Sequence, residues 1–494
     1  MKVKRRKRWR NHTRNQSVEP LRQYRPRSEA DLREAVAAAR ADGVTARAVG
    51  SGHSWSDAAL TRGYLIETHG LDKLLDVGPR APGWEDRKLV RVEAGMRLRK
   101  LNKLLAAQGL ALSQMGGYDG QTVAGVMSTS THGSGIGLGP LPDSVHSIDL
   151  MAGDGGCYRI ERTGGPTAGA APDGWELVAD DDAFDAVSVS IGCMGVIYAA
   201  TLEVEPAYWL TEKRVLSTWP EVRKQLETRA PLEASRHYEV YLNPYGERRC
   251  IVCTRNLTED PQRWRPRHSM RRHWYVELLS SVRLTAWVAN ALLDLWPAMA
   301  PRAIDFTLRL LKKDDYTNRS YRVLNIGAAN LLPAYSSEIG VPIDDGKHLE
   351  AIDRIIEIAD RHGRLGDVYH TAPIALRFVK ASPAHLSMMH GRDTMMIELI
   401  QMTDTEGGYE LLAEYEDALY ALGGRPHWGQ FNTLTGSDGA LGRMYPALDR
   451  WLAVRERFDP ENVFASPFSK RVGIGYATET RTSADAPNPS ATTV

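Results

Sequence analysis

Between Gly116 and Gly139 the chain reads GGYDGQTVAGVMSTSTHGSGIGLG, too dense in glycine, serine and threonine to be one buried strand. A shorter run of the same kind, Gly50-Ser51-Gly52-His53-Ser54, follows a β-like stretch over Thr45–Val49. Small residues let a backbone approach a ligand closely, and successive amide hydrogens there form an anion nest. Two such loops suit a dinucleotide better than a single phosphate. A Rossmann turn matches poorly, because Trp55 stands where the third glycine belongs, and a P-loop is absent.

Around these loops, short strands alternate with helices, as in a mixed sheet. Leu32, Val36 and Ala39 share one face of a helix over 30–42 that Gly43 stops. Strands are expected over Gly63–Glu67 and Leu89–Ala94, a helix over Leu98–Gln108, and a hairpin from Val145–Gly153 to Tyr158–Glu161. Gly192–Val204 closes this half at Glu205-Pro206, where a domain boundary is expected. Beyond it, Arg236–Leu242 and Arg248–Thr254 alternate with period two, and a basic segment (RWRPRHSMRRHW) precedes an apolar helical stretch over Val276–Leu311. Further strands are expected at Ser336–Val341, Ala372–Lys380 and Met395–Met402, with helices over Leu349–His362 and Tyr445–Arg457.

The 494 residues suffice for two or three domains, and 43% hydrophobic with 25% charged residues is ordinary globular usage. A net charge of +1 excludes the field of a nucleic-acid binder. Four scattered cysteines make no disulfide framework, and Cys250 and Cys253 lie in a strand-like RRCIVCT without a second ligand pair. No metal is expected. The basic start, MKVKRRKRWR, lacks a following apolar region and reads as a solvated tail, and no uncharged apolar run is long enough to cross a bilayer. A cytoplasmic protein is expected.

VGSGHSWSD (49–57), QTVAGVMSTSTHGSG (121–135), GCMGVIYAATLEVEP, HWG (427–429) and FDPENVF, in this order, resemble the aldonolactone oxidase and alditol oxidase group of the vanillyl-alcohol oxidase flavoprotein superfamily over roughly residues 19 to 474. The resemblance implies an α+β chain: a PCMH-type FAD-binding fold (19–205) and a mixed α/β substrate or cap domain (206–452). A segment over 453–474 would return to the flavin, between a basic tail at 1–18 and a disordered tail at 475–494. By matching positions, Arg47, Ala48, Val49, Gly50, Ser51, Gly52, His53 and Ser54 would wrap the pyrophosphate and one side of the ring system. Gly117, Thr122, Gly125, Thr129, Ser130, Thr131 and His132 would line the second loop, with Val196 and Ile197 at the adenosine end. His53 occupies the position where many relatives bond a ring nitrogen to the flavin 8α-methyl group, so covalent FAD is expected.

The implied activity is oxidation of a secondary alcohol or lactol, with hydride passing to FAD and oxygen as acceptor. A quinone- or cytochrome-linked dehydrogenase, or a flavin-binding protein altered in catalysis, are the alternatives. Relatives carry a Glu-x-Arg pair and a lysine after His-Trp-Gly, whereas this chain has Ala375-Leu376-Arg377 and Gln430. An arginine in a desolvated site needs a counter-charge. Glu398, expected on the strand beside Arg377, is the replacement and candidate proton acceptor, and Glu338 is a second candidate. His427, with Trp428, is expected to shape the pocket. Losing the family's Glu and Lys favours a less polar alcohol, and the basic flank of the apolar 276–311 stretch suggests peripheral contact with a membrane surface.

Overall fold

The computed structural model describes residues 1–78, 80–167, 169–259, 293, 295–312, 315–326, 334–366, 368–402 and 405–475. Two sheets build the N-terminal part. In the first, Arg22–Arg25, Tyr64–Glu67 and Ala46–Val49 run parallel, and Lys2–Arg5 joins antiparallel at the edge. The second has six strands, in the order Glu176–Ala179, Cys157–Glu161, Val145–Ala152, Gly195–Glu203, Leu89–Glu93, Leu74–Leu75. The hairpin expected about Gly155 is present, with Met151 opposite Cys157. One core, including the fully buried Trp428, Trp451, Phe458 and Phe468, joins the six-stranded sheet to the C-terminal helices Leu448–Phe458 and Pro467–Val472. Each such side chain contributes roughly 1.5–3 kcal/mol of burial.

The tail expected over residues 1–18 is corrected by the structure. Lys2–Arg5 pairs with Arg22–Arg25, and Trp9–Arg10 pairs with Ser17–Val18 in a small hairpin. The lysine and arginine side chains stay largely exposed while the backbone bonds are satisfied, so a high charge density does not prevent an edge strand. Apart from Gly475, the tail expected over 475–494 lies outside the described residues, as does the stretch Val276–Leu292.

Downstream, eight strands form an antiparallel sheet in the order 316–319, 209–218, 249–258, 237–242, 374–379, 394–402, 334–342, 425–426. Period-two alternation sorts its side chains. Val240, Leu242, Leu376, Phe378, Ile397, Leu399, Ile339 and Val341 pack against helices Trp219–Leu226, Lys347–Leu365 and Gly408–Ala421. The second of these puts Leu349, Ile352, Ile355 and Ala359 on one face and ends at Gly366, whose φ of 75° admits the left-handed turn a side chain would disfavour. Cys250 and Cys253 are both buried, and their spacing within a strand sends them to opposite faces, which disposes of a shared ligand pair. The other face of the sheet carries charge.

Candidate active site

That charged face is a row set by register. Tyr241 is opposite Ala375, Ala375 opposite Glu398, and Glu398 opposite Glu338, across four adjacent strands. The residue directly paired with Ala375 on the next strand is thus Glu398. Arg377, two residues along, lies opposite Glu239. Its Nε donates to Glu239 at 2.8 Å, and its Nη1 to Glu398 at 2.7 Å and Glu338 at 3.3 Å. The ion pairs continue away from the row: Glu239 to Arg255 at 3.0 Å, Arg255 to Glu212 at 2.8 Å, Glu212 to Arg214 at 2.8 Å.

The carboxyls differ in what surrounds them. Burial alone would raise Glu338, but His132 at 3.4 Å, His427 and Arg377 hold it well below the usual carboxylate range. Glu398 is raised, because burial and repulsion from Glu338 and Glu239 outweigh Arg377. One guanidinium among three carboxylates leaves Glu398 as the member that most readily takes a proton. Burial pushes His427 down to about 4, and the Nδ1 of this ring accepts from the Gly429 amide at 3.0 Å.

The row faces the glycine-rich loops because backbone bonds stitch the two parts together. Gly135 donates to the Phe378 carbonyl at 2.6 Å, and His427 donates to the Glu338 carbonyl at 2.8 Å. Trp55 donates to the Gly429 carbonyl at 2.8 Å, and the Ser56 hydroxyl to the Trp428 carbonyl at 2.7 Å. Arg47 binds the carbonyls of Ala58, Ile191, Gly192 and Phe464, so it staples the first loop to two distant segments. The C-terminal segment returns here: Ala46 donates to the Val463 carbonyl at 2.7 Å, and Asp459 accepts from the Val463 and Phe464 amides.

Between loops and row runs a cavity of about 290 Å³. All of the expected cofactor residues line it except Ser130, and so do Glu338, Arg377, Glu398, His427 and Gln430. Ser130 is fully buried at φ 55°, and its hydroxyl lies 2.8 Å from that of Ser387, pointing away from the wall. The serine's place in a loop motif carried no information about which way it turns. Trp9, Gln16, Tyr118 and Tyr241 also line the cavity and were not anticipated. A tryptophan inside a basic stretch was the available signal for the first, and for Tyr241 it was the period-two relation to Glu239.

The walls fit FAD. A Cβ on Gly50 would come 2.0 Å from Thr122 Oγ1, so the two loops close on each other only through glycine. Gly52 and Gly192 have φ of 68° and 69°. Among the described residues the buried Ser51 hydroxyl has no hydrogen-bond partner, which leaves it for a ligand oxygen, and the same holds for the buried Gln430 Oε1 toward a donor. Arg377, Glu338 and Glu398 line the same cavity, together with His427 and Gln430.

Comparison with known proteins agrees. The D-arabinono-1,4-lactone oxidase family model matches residues 200–472, and the FAD binding domain model matches 20–161. The chain is 28% identical over 464 residues to L-gulono-1,4-lactone dehydrogenase of Mycobacterium tuberculosis, covering 94% of this chain and 98% of that one. It is 26% identical over 472 residues to L-gulonolactone oxidase of Mus musculus, covering 94% and 97%. Cholesterol oxidase from Brevibacterium sterolicum shares the fold, with a TM-score of 0.75 at 14% identity over 95% of this chain and 97% of that one. The chain belongs to the D-arabinono-1,4-lactone oxidase family, within the aldonolactone oxidase group of vanillyl-alcohol oxidase flavoproteins, and is an FAD-dependent oxidoreductase of CH–OH groups.

Proposed function

We propose that this chain oxidises an uncharged alcohol at a carbon on the Arg377 side of the cavity, with dioxygen as the final acceptor and hydrogen peroxide as its product. FAD supplies the hydride acceptor. Glu398 takes the hydroxyl proton, and Arg377 stabilises the negative charge that develops on the substrate oxygen. Glu239 orients the guanidinium, Glu338 with His132 and His427 fixes the adjoining wall, and the Gln430 amide binds a substrate oxygen. The observation that carries this reading is Arg377, held on the cavity wall at 2.7 Å from a carboxyl of raised pKa.

Arg377 is saturated by three carboxylates and so offers little positive charge to an acidic substrate. Beside the polar groups, Tyr241, Ile326, Ala334 and Ile400 offer an apolar flank, which favours an alcohol with an apolar body. The strand order supports the boundary between the 19–205 and 206–452 units, since the eight-stranded sheet begins only at Trp209, whereas the boundary between 452 and 453 falls inside helix Leu448–Phe458.

Membrane contact is favoured by helix Ala300–Leu311. Its Ile304 and Leu308 are buried among Tyr245 and Tyr241, while Phe306 and Leu310 are 62% and 50% exposed, flanked by the exposed Arg302, Arg309 and Lys312. Among the described residues no helix is long and apolar enough to cross a membrane. An anionic surface that the helix lies on is what this face fits.

The test is anaerobic flavin reduction by gulonolactone, its free acid, xylitol and a sterol, then oxygen consumption, with and without anionic liposomes. The neutral compounds should bleach the flavin, the sterol most efficiently, and the free acid should not. Comparable turnover of the acid would overturn the charge argument. Absence of oxygen uptake after reduction would shift the acceptor to a quinone or cytochrome, and failure to sediment with liposomes would remove the membrane contact. Covalent attachment through His53 is checked by acid precipitation: the pellet should be yellow for the wild type and colourless for His53→Ala.

A further inference from the structure

The N-terminal hairpin is clamped onto the loop that carries His53. His12 donates its backbone amide to the Gly52 carbonyl at 2.7 Å. The buried Asn11 donates to the Ser54 carbonyl at 2.9 Å, and Asn15 and Gln16 donate to the Trp55 carbonyl at 2.9 and 3.1 Å. The Trp9 ring lies against Gly52, 3.0 Å from where a Cβ would stand. These contacts deliver the His12 ring to His53, with centroids 4.2 Å apart and planes inclined at 40°. Tyr118 meets His53 edge-on at 4.6 Å, and the His12 and Tyr118 rings are themselves 6.4 Å apart, so the two pack on adjacent sides of His53. The imidazole is therefore packed against two rings from two other segments of the chain.

We propose that His12 is a positioning residue for covalent attachment of FAD, its ring fixing the plane of His53 so that a ring nitrogen is aimed at the flavin. This rests on the reading that His53 carries the link. In the attachment a bond forms between the His53 nitrogen and the 8α carbon. A methyl C–H bond and the imidazole N–H bond break, and the two electrons and two protons released reduce dioxygen to hydrogen peroxide. The nucleophile must be a neutral imidazole. Burial, together with His12, Arg97 and Arg99, pushes His53 down to about 3, so its lone pair is available at neutral pH. What remains to be supplied is orientation, and an unrestrained ring loses it: misplacement by an ångström costs on the order of 100-fold in rate. His12 is exposed on its outer side, so replacing it removes ring packing without opening a core.

The experiment compares wild type, His12→Ala, His12→Leu and His12→Phe, each purified with its flavin and followed over time for acid-stable flavin and for a flavin-bearing peptide containing His53. Wild type should be acid-stable on isolation. His12→Ala and His12→Leu should bind FAD within about twofold of wild-type content yet become acid-stable about 100-fold more slowly, and His12→Phe, which keeps a ring, should behave as wild type. Wild-type acid stability in both His12→Ala and His12→Leu overturns the role of His12. So does a His12→Phe variant as slow as His12→Ala, since packing of a ring is the proposed cause. If wild-type flavin is itself released by acid, the His53 link fails and the His12 proposal fails with it, an outcome distinct from the other two.

Discussion

Replacing Arg377 by alanine should slow anaerobic flavin reduction by about 100-fold or more, the cost of losing a donor aimed at developing negative charge in a water-excluded site. Its three carboxylate partners, at 2.7 to 3.3 Å, would then face one another without a cation. Glu398→Gln should slow reduction comparably, because a proton acceptor is lost while the shape is kept. The pH profile separates the two roles. Glu398 accepts a proton only when ionised, so reduction should accelerate as pH rises through its elevated pKa, and Glu398→Gln should flatten that limb. Stopped-flow reduction over a pH series measures both. Normal reduction in both variants would sink the assignment, and damage confined to Glu338→Gln would move the base to that carboxyl.

The largest expected loss of stability is at Arg255, which is 4% exposed and bridges Glu212 and Glu239. Arg255→Leu takes one of two arginines from each of two buried carboxylates, leaving Glu212 with Arg214 and Glu239 with Arg377, and should cost about 3 kcal/mol, read as a lowered denaturant midpoint. The pH dependence follows from Glu212. Burial would raise this carboxyl, but Arg255 and Arg214 hold it down to about 2, against an ordinary 4.5. A depressed carboxyl stabilises the fold fully above its ordinary value, and that contribution is lost as pH falls through about 2. Glu212→Gln should therefore be clearly destabilised at pH 7 and converge on the wild type in acid. A gap that persists near pH 2 would show that packing, not charge, is responsible. The same ribbon ends at Arg214, which donates to the Leu311 carbonyl at 3.2 Å and so ties the half-exposed apolar helix to the charged face.

What could be read before any tertiary structure was local pattern. The two glycine-rich loops, the period-two strands and the helix spacing are short-range features, and each appears where backbone chemistry requires it. The five ordered motifs carried FAD and the family. The linker between 379 and 394 is long enough to return one strand beside the next, so the company of Arg377 and Glu398 was legible as well.

Register was not. Whether Glu398 faces Ala375 or Leu376 depends on one residue of slip, which would send every side chain of that strand to the opposite face. Only packing of Ile397 and Leu399 against the helices selects the observed pairing. Glu239 and Tyr241 joined the site through the same pairing, from a strand more than a hundred residues away. The N-terminal segment shows the other limit. Seven basic side chains in its first ten residues suggested solvent, and they are largely in solvent. Yet Trp9, Asn11 and His12 close on a loop some forty residues distant, through hydrogen bonds whose partners exist only once the 50–55 backbone is folded. Composition thus determined the exposure of this segment, and the folded loop decided its place, because backbone carbonyls turned out by the glycine conformations need donors and the hairpin supplies them.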